Sequence, residues 1–233
     1  MLVNLNPNYS NPQFQRKPNA VEMKKYTATV SQGLKVLDKN LGLIVHNSSV
    51  PSLPKQNLGI GSLLSKAAQV SFLPFLAALG FTTVQQEPDG IRSGYVASPY
   101  SPISSSKNIF MIPIERLATE EYANLVSEED IQNVVNNNSL SDTPNTVNYQ
   151  EVLANYDKVL SNAYHTLTEE VEEAMLLGLS KEDRLKHIQL KEEFEDFKRE
   201  NYEELEPNAI YEILAKKNNN ENWRTWSKEE QTL

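Results

Sequence analysis

Cysteine is absent from the 233-residue sequence. Without it, these residues can form no disulfide framework, no thiolate metal site and no thiol nucleophile. Histidine is scarce as well: the 3 residues His46, His165 and His187 lie on three different predicted elements. They lack the spacing of a metal-binding motif, so we assign no metal ligand and expect no cofactor. We expect His165 and His187 to be exposed or half-buried helix residues.

Positive charge is also in short supply. The 22 Lys and Arg residues are outnumbered by 31 Asp and Glu residues, which gives a net charge of -9. Nucleic-acid binding requires clustered basic residues for phosphate contacts, so we expect no nucleic-acid partner. No apolar run reaches the length of a membrane span, and the N-terminus lacks a signal-peptide pattern. We therefore expect no direct membrane insertion and a cytoplasmic location.

The first half of the sequence has a strand, helix and strand in order. The β-rich apolar run at 42–49 predicts a buried strand, and "FTTVQQ" at 81–86 predicts a second strand. Between them, residues 60–80 carry apolar side chains at helical spacing, with Pro74 expected to kink or divide the helix and Gly80 to cap it. This order predicts a βαβ unit with parallel strands.

The second half of the sequence reads as helices. Ser127 with Asp130, and Ser180 with Asp183, have the spacing of N-terminal capping boxes. The first predicted helix begins after Ser127, and the second runs over 148–178 with a break near Thr168. The third begins after Ser180 and continues to Pro207, and the last covers 208–220. The fold class is therefore α/β and helix-rich, with a partial parallel sheet followed by a mostly α-helical C-terminal part.

Several polar side chains occupy positions where a site could form. His46 ends the first predicted strand, where it could point into a pocket or make a structural hydrogen bond. Glu87 and Asp89 end the second strand, where barrel enzymes place active groups. We favour a solvated loop for this pair, because no third group is available to complete a mechanism. Tyr100 lies in a Ser- and Pro-rich loop and could stack on a sugar ring.

Four segments in collinear order resemble the amylomaltase family, the bacterial 4-alpha-glucanotransferases and their plant disproportionating relatives. They are "GLIVHNSSVPS", "NLGIGSLLSKA", "FLAALGFTTVQQEPDG" and "SGYVASPYSPISSSKNIFMIPIERL". The resemblance runs from about residue 40 to 230 and implies an incomplete TIM-barrel-like core. It also implies that the substrate-binding residues are His46, Ser98, Tyr100 and Asn108. The domains would be a polar N-terminal arm at 1–38, the barrel core at 39–118 and a helical subdomain at 119–233.

The resemblance also implies what this chain does not carry. In the family, the catalytic Asp, Glu and Asp lie beyond the region that these residues match, so we assign no catalytic residue here. We expect residues 90–108 to form an exposed irregular loop that shapes a sugar groove. An incomplete barrel leaves open sheet edges, which predicts a protein partner that covers them.

Three functions follow from this reading of the sequence. The first is a non-catalytic interaction or scaffold subunit of a larger complex. The second is the N-terminal part of a split or truncated 4-alpha-glucanotransferase that acts on alpha-1,4-glucans. The third is a glucan-binding module.

Overall fold

The computed structural model describes most of the chain. The described residues are 20–37, 40–46, 49–53, 55–88, 90–92, 100, 102–139, 147–168, 180–219 and 222–232. They divide into two compact units, of which the first includes the described residues up to Leu43 together with Leu73–Val84. The second unit includes Ile44–Phe72 and the described residues from Gln85 onward. The predicted domain boundaries near residues 38 and 118 stay predictions.

The structure contains the parallel strand pair that the sequence predicts. Strand β1 (Leu41–Val45) pairs with β2 (Phe81–Gln86), and the last two residues of each strand belong to the second unit. The Thr82 hydroxyl donates to the Leu41 carbonyl at 3.4 Å, and Gly42 lies against Thr83, so residue numbers rise together along both strands. The predicted burial of β1 is wrong except at Val45, since Ile44 is 62% exposed. The first unit also contains helix α1 (Ala20–Leu37), which contacts α2 (Leu73–Ala78).

The helix predicted at 60–80 is shorter than expected. Helical structure begins at Lys66, passes through a π-helical turn at Ala68–Phe72 and continues as α2. Pro74 has no N–H to bond the preceding turn, and π turns occur where a regular helix is interrupted in this way. The helix is not divided at Pro74, since α2 continues through this residue. The predicted cap at Gly80 is confirmed, since Gly80 has φ 92° and donates to the Ala77 carbonyl at 3.0 Å.

The predicted irregular loop at 90–108 is wrong at its two ends. Strand β3 (Gly90–Arg92) pairs antiparallel with β4 (Pro102–Lys107), with Gly90 opposite Lys107 and an irregular register before Arg92. Pairing the two ends satisfies backbone donors and acceptors that an irregular loop would leave to water. Residues 93–99, which include Ser98, lie outside the described residues.

The rest of the second unit is helical. Helices α3 (Glu128–Ser139), α4 (Tyr149–Thr168), α5 (Lys181–Glu200) and α6 (Tyr202–Asn218) follow three 3₁₀ turns at Ile109–Met111, Ile114–Ala118 and Glu120–Tyr122. A further 3₁₀ turn, Trp223–Thr225, comes last. The described part of the long predicted helix ends at Thr168, and 169–179 lie outside the described residues.

Both predicted capping boxes are confirmed. The Ser127 hydroxyl accepts from the Asp130 N–H at 3.1 Å, and the Ser180 hydroxyl accepts from the Asp183 N–H at 3.1 Å. The break between the last two helices is at Asn201 and not at Pro207, which lies inside α6. Asn201 ends α5 because its amide donates to the Phe197 carbonyl at 2.8 Å.

One hydrophobic cluster, the central core, lies in the second unit. Its buried members are Leu58, Ile60, Ile114, Leu125, Val126, Val134, Val135, Val152, Tyr156, Val159, Ala163 and Leu167. Full burial of a side chain such as Ile114 stabilises the fold by about 1.5 to 3 kcal/mol. The core therefore fixes α3, α4 and the 3₁₀ turns against the loop that contains Leu58 and Ile60.

The structure confirms a helix-rich α/β chain with a small parallel strand pair. The described residues contain six α-helices and two sheets of two strands each. A closed or partial barrel goes beyond these sheets and stays a prediction. Within the described residues, no helix combines the length and apolar character needed to cross a membrane.

Candidate functional site

A histidine and a glutamate meet where β1 and β2 end. His46 directly follows β1, and Glu87 directly follows β2. Because the strands are parallel neighbours, their carboxyl ends lie at the same edge of the sheet, where α/β proteins commonly bind ligands. His46 Nε2 lies 3.6 Å from Glu87 Oε2, and the two side chains are 23% and 20% exposed. The sequence predicted the two positions but not their contact.

The carboxylate of Glu87 is unusual in its surroundings. Its Oε2 atom is buried and accepts no hydrogen bond from the residues that the structure describes. The separation of 3.6 Å from His46 Nε2 is too long for a hydrogen bond. A buried carboxylate oxygen without a hydrogen bond is costly, and the imidazole of His46 is a polar group that lies beside it.

A cleft of about 860 Å³ lies in the second unit. The loop after His46 supplies Ser49–Ser52 and Lys55–Gly61 to its wall, and the Ser49 N–H donates to the His46 carbonyl at 2.8 Å. Polar wall residues include Asn57, Lys66, Glu115, Arg116, Glu129 and Gln132, and apolar ones include Leu58, Ile60 and Val135. A mixture of apolar surface and a few directed polar groups is typical of small-molecule sites.

Gly59 lets the cleft loop pack closely on the helices below it. Its φ is 85°, in the left-handed region that favours glycine, and its N–H donates to Asn57 Oδ1 at 2.9 Å. A Cβ atom at this position would lie 2.6 Å from Asn138 Oδ1 and 2.6 Å from Val152 Cγ2. The shape of this loop therefore depends on having glycine, which has no side chain, at position 59.

Glu115 joins two walls of the cleft. Its Oε1 accepts from the Lys66 backbone N–H at 3.0 Å, which satisfies a donor at the start of the helical segment. Its Oε2 is buried and accepts no hydrogen bond from any residue in the described ranges. Burial raises the pKa of the Tyr156 hydroxyl above its usual range, and the negative charge of Glu115 adds to that shift. Glu115 thus acts as a structural tie with a buried charge.

The first turn of α3 forms another part of the wall. Glu128 and Glu129 lie there, where the partial positive charge of a helix N-terminus favours acidic side chains. The Ser127 side chain, and then its backbone N–H, bond the Asp130 carboxylate and hold its pKa below its usual range. This box fixes where α3 begins and so where the two glutamates lie.

The substrate-binding residues implied by the resemblance have different environments. Tyr100 is 68% exposed, as a stacking side chain should be. Asn108 is only 4% exposed, and its Oδ1 accepts from the Phe110 N–H at 3.0 Å, which gives it a capping role. Ser98 and Asp89 lie outside the described residues. Ligand binding by these residues stays a prediction.

The other two histidines differ from each other. His165 is exposed, as expected. His187 is buried, which corrects the expectation of an exposed or half-buried residue; its Nε2 has no hydrogen-bond partner among the described residues. Burial, and then the nearby Lys191, lower the pKa of His187 below its usual value. The pattern of charges along α5 gave no signal of this burial.

Sequence reasoning missed the cleft. The segment "LGIGS" was considered only as a phosphate loop, for which it lacks the lysine and the spacing. Two glycines within three residues between apolar side chains were the available signal of a close backbone contact. Nothing in the sequence marked Lys66 or Glu115 as neighbours of this loop.

The comparisons with known proteins identify one family. The sequence profile described as 4-alpha-glucanotransferase, glycoside hydrolase family 77, matches residues 48–233. The matched range begins just after His46 and includes Glu87, Tyr100, Asn108 and the whole cleft wall. No curated protein and no solved structure matches the chain.

Proposed function

Because the chain belongs to the 4-alpha-glucanotransferase family, we propose that it binds an alpha-1,4-glucan chain in the cleft that follows His46. The observation that carries this proposal is the cleft itself: about 860 Å³, open to solvent and lined by the loop after a strand end. Its volume lies within the range of about 300 to 1,000 Å³ that ligand sites occupy.

The lining of the cleft suits a polyhydroxylated ligand. Sugar hydroxyl groups both donate and accept hydrogen bonds. The wall offers donors and acceptors to them, since it contains carboxylate, amide, ammonium and hydroxyl groups. Leu58, Ile60 and Val135 supply apolar surface for the less polar faces of a sugar. The lining has no excess of basic residues, so a phosphorylated ligand is less suitable.

Binding without chemistry is the second part of the proposal. Retaining glycosyl transfer needs a nucleophile and an acid/base about 5 Å apart. The half-buried carboxylates near the site are already engaged, since Glu115 bonds the Lys66 N–H and Glu87 faces His46. We therefore propose that the catalytic carboxylates of the reaction come from residues other than these.

Titration with maltoheptaose tests glucan binding. Calorimetry should detect saturable heat with the wild-type chain. Gln132→Trp places a large side chain in the cleft and should weaken binding at least tenfold. Asn133→Trp is the matched control, because Asn133 is the next residue of α3, is equally exposed and lies outside the cleft. Absence of heat with the wild-type chain would contradict the proposal.

An activity measurement tests the separate claim about catalysis. The purified chain should release no glucose from maltotriose. Glucose release by the chain alone would show that it carries a working carboxylate pair, and the binding-only proposal would then be wrong. Tyr100→Ala, measured by the same calorimetry, tests the stacking role implied by the resemblance.

A second candidate function is an interaction subunit. Among the described residues, β1 and β2 pair only with each other, so each strand has an outer edge without a described neighbour. Helices α5 and α6 also expose large apolar side chains, including Phe197 at 53% and Ile213 at 67%. Exposed edges and apolar side chains of this kind often mark protein contacts. The partner would be a polypeptide that carries the remaining strands of the barrel.

Mixing experiments distinguish the candidates. The chain is combined with a polypeptide that carries the catalytic carboxylates of the family, and the mixture is analysed by size-exclusion chromatography and by glucose release from maltotriose. A complex with glucose release supports a split enzyme. A complex without release supports a non-catalytic scaffold. Separate elution of the two polypeptides contradicts an interaction role with this partner.

A further inference from the structure

We propose that Glu87 is a positioning residue, which holds the His46 imidazole in the tautomer that carries its proton on Nε2 and so orients it for the ligand of the cleft. For the identity of that ligand, an alpha-1,4-glucan, the inference rests on the proposed function. The placement of the histidine itself rests only on the geometry of this chain.

The geometry of the two side chains carries the inference. Glu87 Oε2 faces His46 Nε2 at 3.6 Å. The proton position of an imidazole is set by the groups around its two nitrogens, and a carboxylate beside Nε2 favours a proton there. Glu87 Oε2 is buried and accepts no hydrogen bond within the described part of the chain. The imidazole is thus the group toward which this oxygen can act.

The pair is connected to the cleft through the backbone. The His46 carbonyl accepts from the N–H of Ser49, and Ser49 is the first residue of the cleft wall. Both side chains keep about a fifth of their surface exposed, at 23% and 20%. His46 and Glu87 are themselves outside the lining of the cleft, so a ligand would reach the exposed part of the imidazole from the Ser49 end of the wall.

The distance between His46 Nε2 and Glu87 Oε2 can shorten when a ligand binds. It exceeds a usual N–H···O length by about half an ångström. Hydrogen bonds of functional groups are often long before a ligand is present and shorten in the complex. A glucan hydroxyl that contacts the imidazole would press it toward Glu87 and complete the hydrogen bond. Glu87 would then contribute to affinity without touching the sugar.

Nitrogen-15 NMR of the histidine rings in the full chain tests the positioning directly. In the wild-type chain, His46 should show the Nε2-protonated tautomer at a pH where the ring is neutral. In Glu87→Met, which keeps the side-chain length and removes the acceptor, His46 should become a mixture of tautomers. Glu87→Gln keeps an acceptor oxygen and should retain the wild-type pattern. His165 and His187 serve as controls in the same spectra, because neither contacts Glu87.

Maltoheptaose titration of the same variants tests the consequence. Glu87→Met should bind about tenfold more weakly than the wild type, and Glu87→Gln less than threefold more weakly. An Nδ1-protonated His46 in the wild-type chain, or unchanged tautomers and affinity in Glu87→Met, would overturn the inference. An Nδ1-protonated His46 in the wild-type spectrum overturns the inference even if Glu87→Met does not fold.

The two proposals can fail separately. If the wild-type chain does not bind maltoheptaose, the proposed function fails, while a tautomer change in Glu87→Met still supports the positioning of His46. If maltoheptaose binds and the tautomers do not change, the proposed function stands and the role of Glu87 is wrong.

Discussion

The central core and the pair of helices α5 and α6 are stabilised in different ways. In the central core, Ile114 of a 3₁₀ turn joins Val152 and Tyr156 of α4, and all three are at most 1% exposed. In α5 the one buried side chain is His187, and the helix is held at its ends by Ser180 and Asn201. Packing thus supports the region under the cleft, while local bonds support much of α5.

The difference indicates where a binding site can be precise. A cleft wall that rests on closely packed side chains keeps its shape, because such side chains have little freedom. The exposed ion pairs of α5, Glu195 with Lys198 and Asp196 with Arg199, are worth little to stability. We therefore propose the cleft as the ligand site and the surface of α5 and α6 as the partner surface.

Removal of the Tyr156 side chain should have the largest effect on stability. Its ring is 1% exposed and lies edge-on to Phe110, with centroids 5.6 Å apart. Tyr156→Ala should lower the free energy of unfolding by about 3 to 5 kcal/mol, as measured by urea denaturation. Tyr156→Phe is the control and should cost about 1 kcal/mol. Equal effects of the two changes would mean that the ring does not anchor the core.

A side chain at Gly59 should have the next largest effect. Gly59→Ala combines an unfavourable φ with overlap on Asn138 and Val152, and should cost about 2 to 4 kcal/mol. Gly33→Ala is the control, because nothing lies within 4 Å of its added Cβ in helix α1. The control should be neutral or stabilise by up to about 1 kcal/mol. A stable Gly59→Ala variant would contradict the close packing of the cleft loop.

His187 should make stability depend on pH. Because burial lowers its pKa in the folded state, the unfolded chain binds its proton more readily as pH falls below the usual histidine range. Stability is therefore present at neutral pH and is lost on acidification, by at most about 1.4 kcal/mol per pH unit. Denaturation between pH 8 and about 5 should show a smaller slope in His187→Gln than in the wild type. An unchanged slope in His187→Gln would contradict this prediction.

Substitutions at two phenylalanines of α5 should have the smallest effects on stability. Phe194 is partly buried against the central core and lies edge-on to Tyr164, with centroids 6.2 Å apart, whereas Phe197 is 53% exposed. Phe194→Ser should cost about 2 to 3 kcal/mol, and Phe197→Ser should stay within about 0.5 kcal/mol. Thermal unfolding of both variants measures this. Comparable losses of stability in the two variants would mean that α5 packs more closely than the exposure of Phe197 indicates.

Elements that depend on neighbouring residues were predictable. The caps at Ser127, Ser180 and Gly80 and the strands β1 and β2 follow from short-range patterns, and the structure confirms them. The hairpin of β3 and β4 was not predicted, because its Ser-rich strand lacks the usual β-forming residues. The break at Asn201 was misplaced because Pro207 was the stronger local signal.

The amino-acid sequence by itself determined the helix-rich composition, the helix caps, the locations of the strands β1 and β2 and the family pattern, since each depends on the order of residues within short segments. Tertiary structure decided the contact of His46 with Glu87, the packing of Gly59 on Val152 and the burial of His187. These features join residues that are far apart in the chain. Only folding brings such residues together, because the free energy of burying the central core selects which distant segments meet.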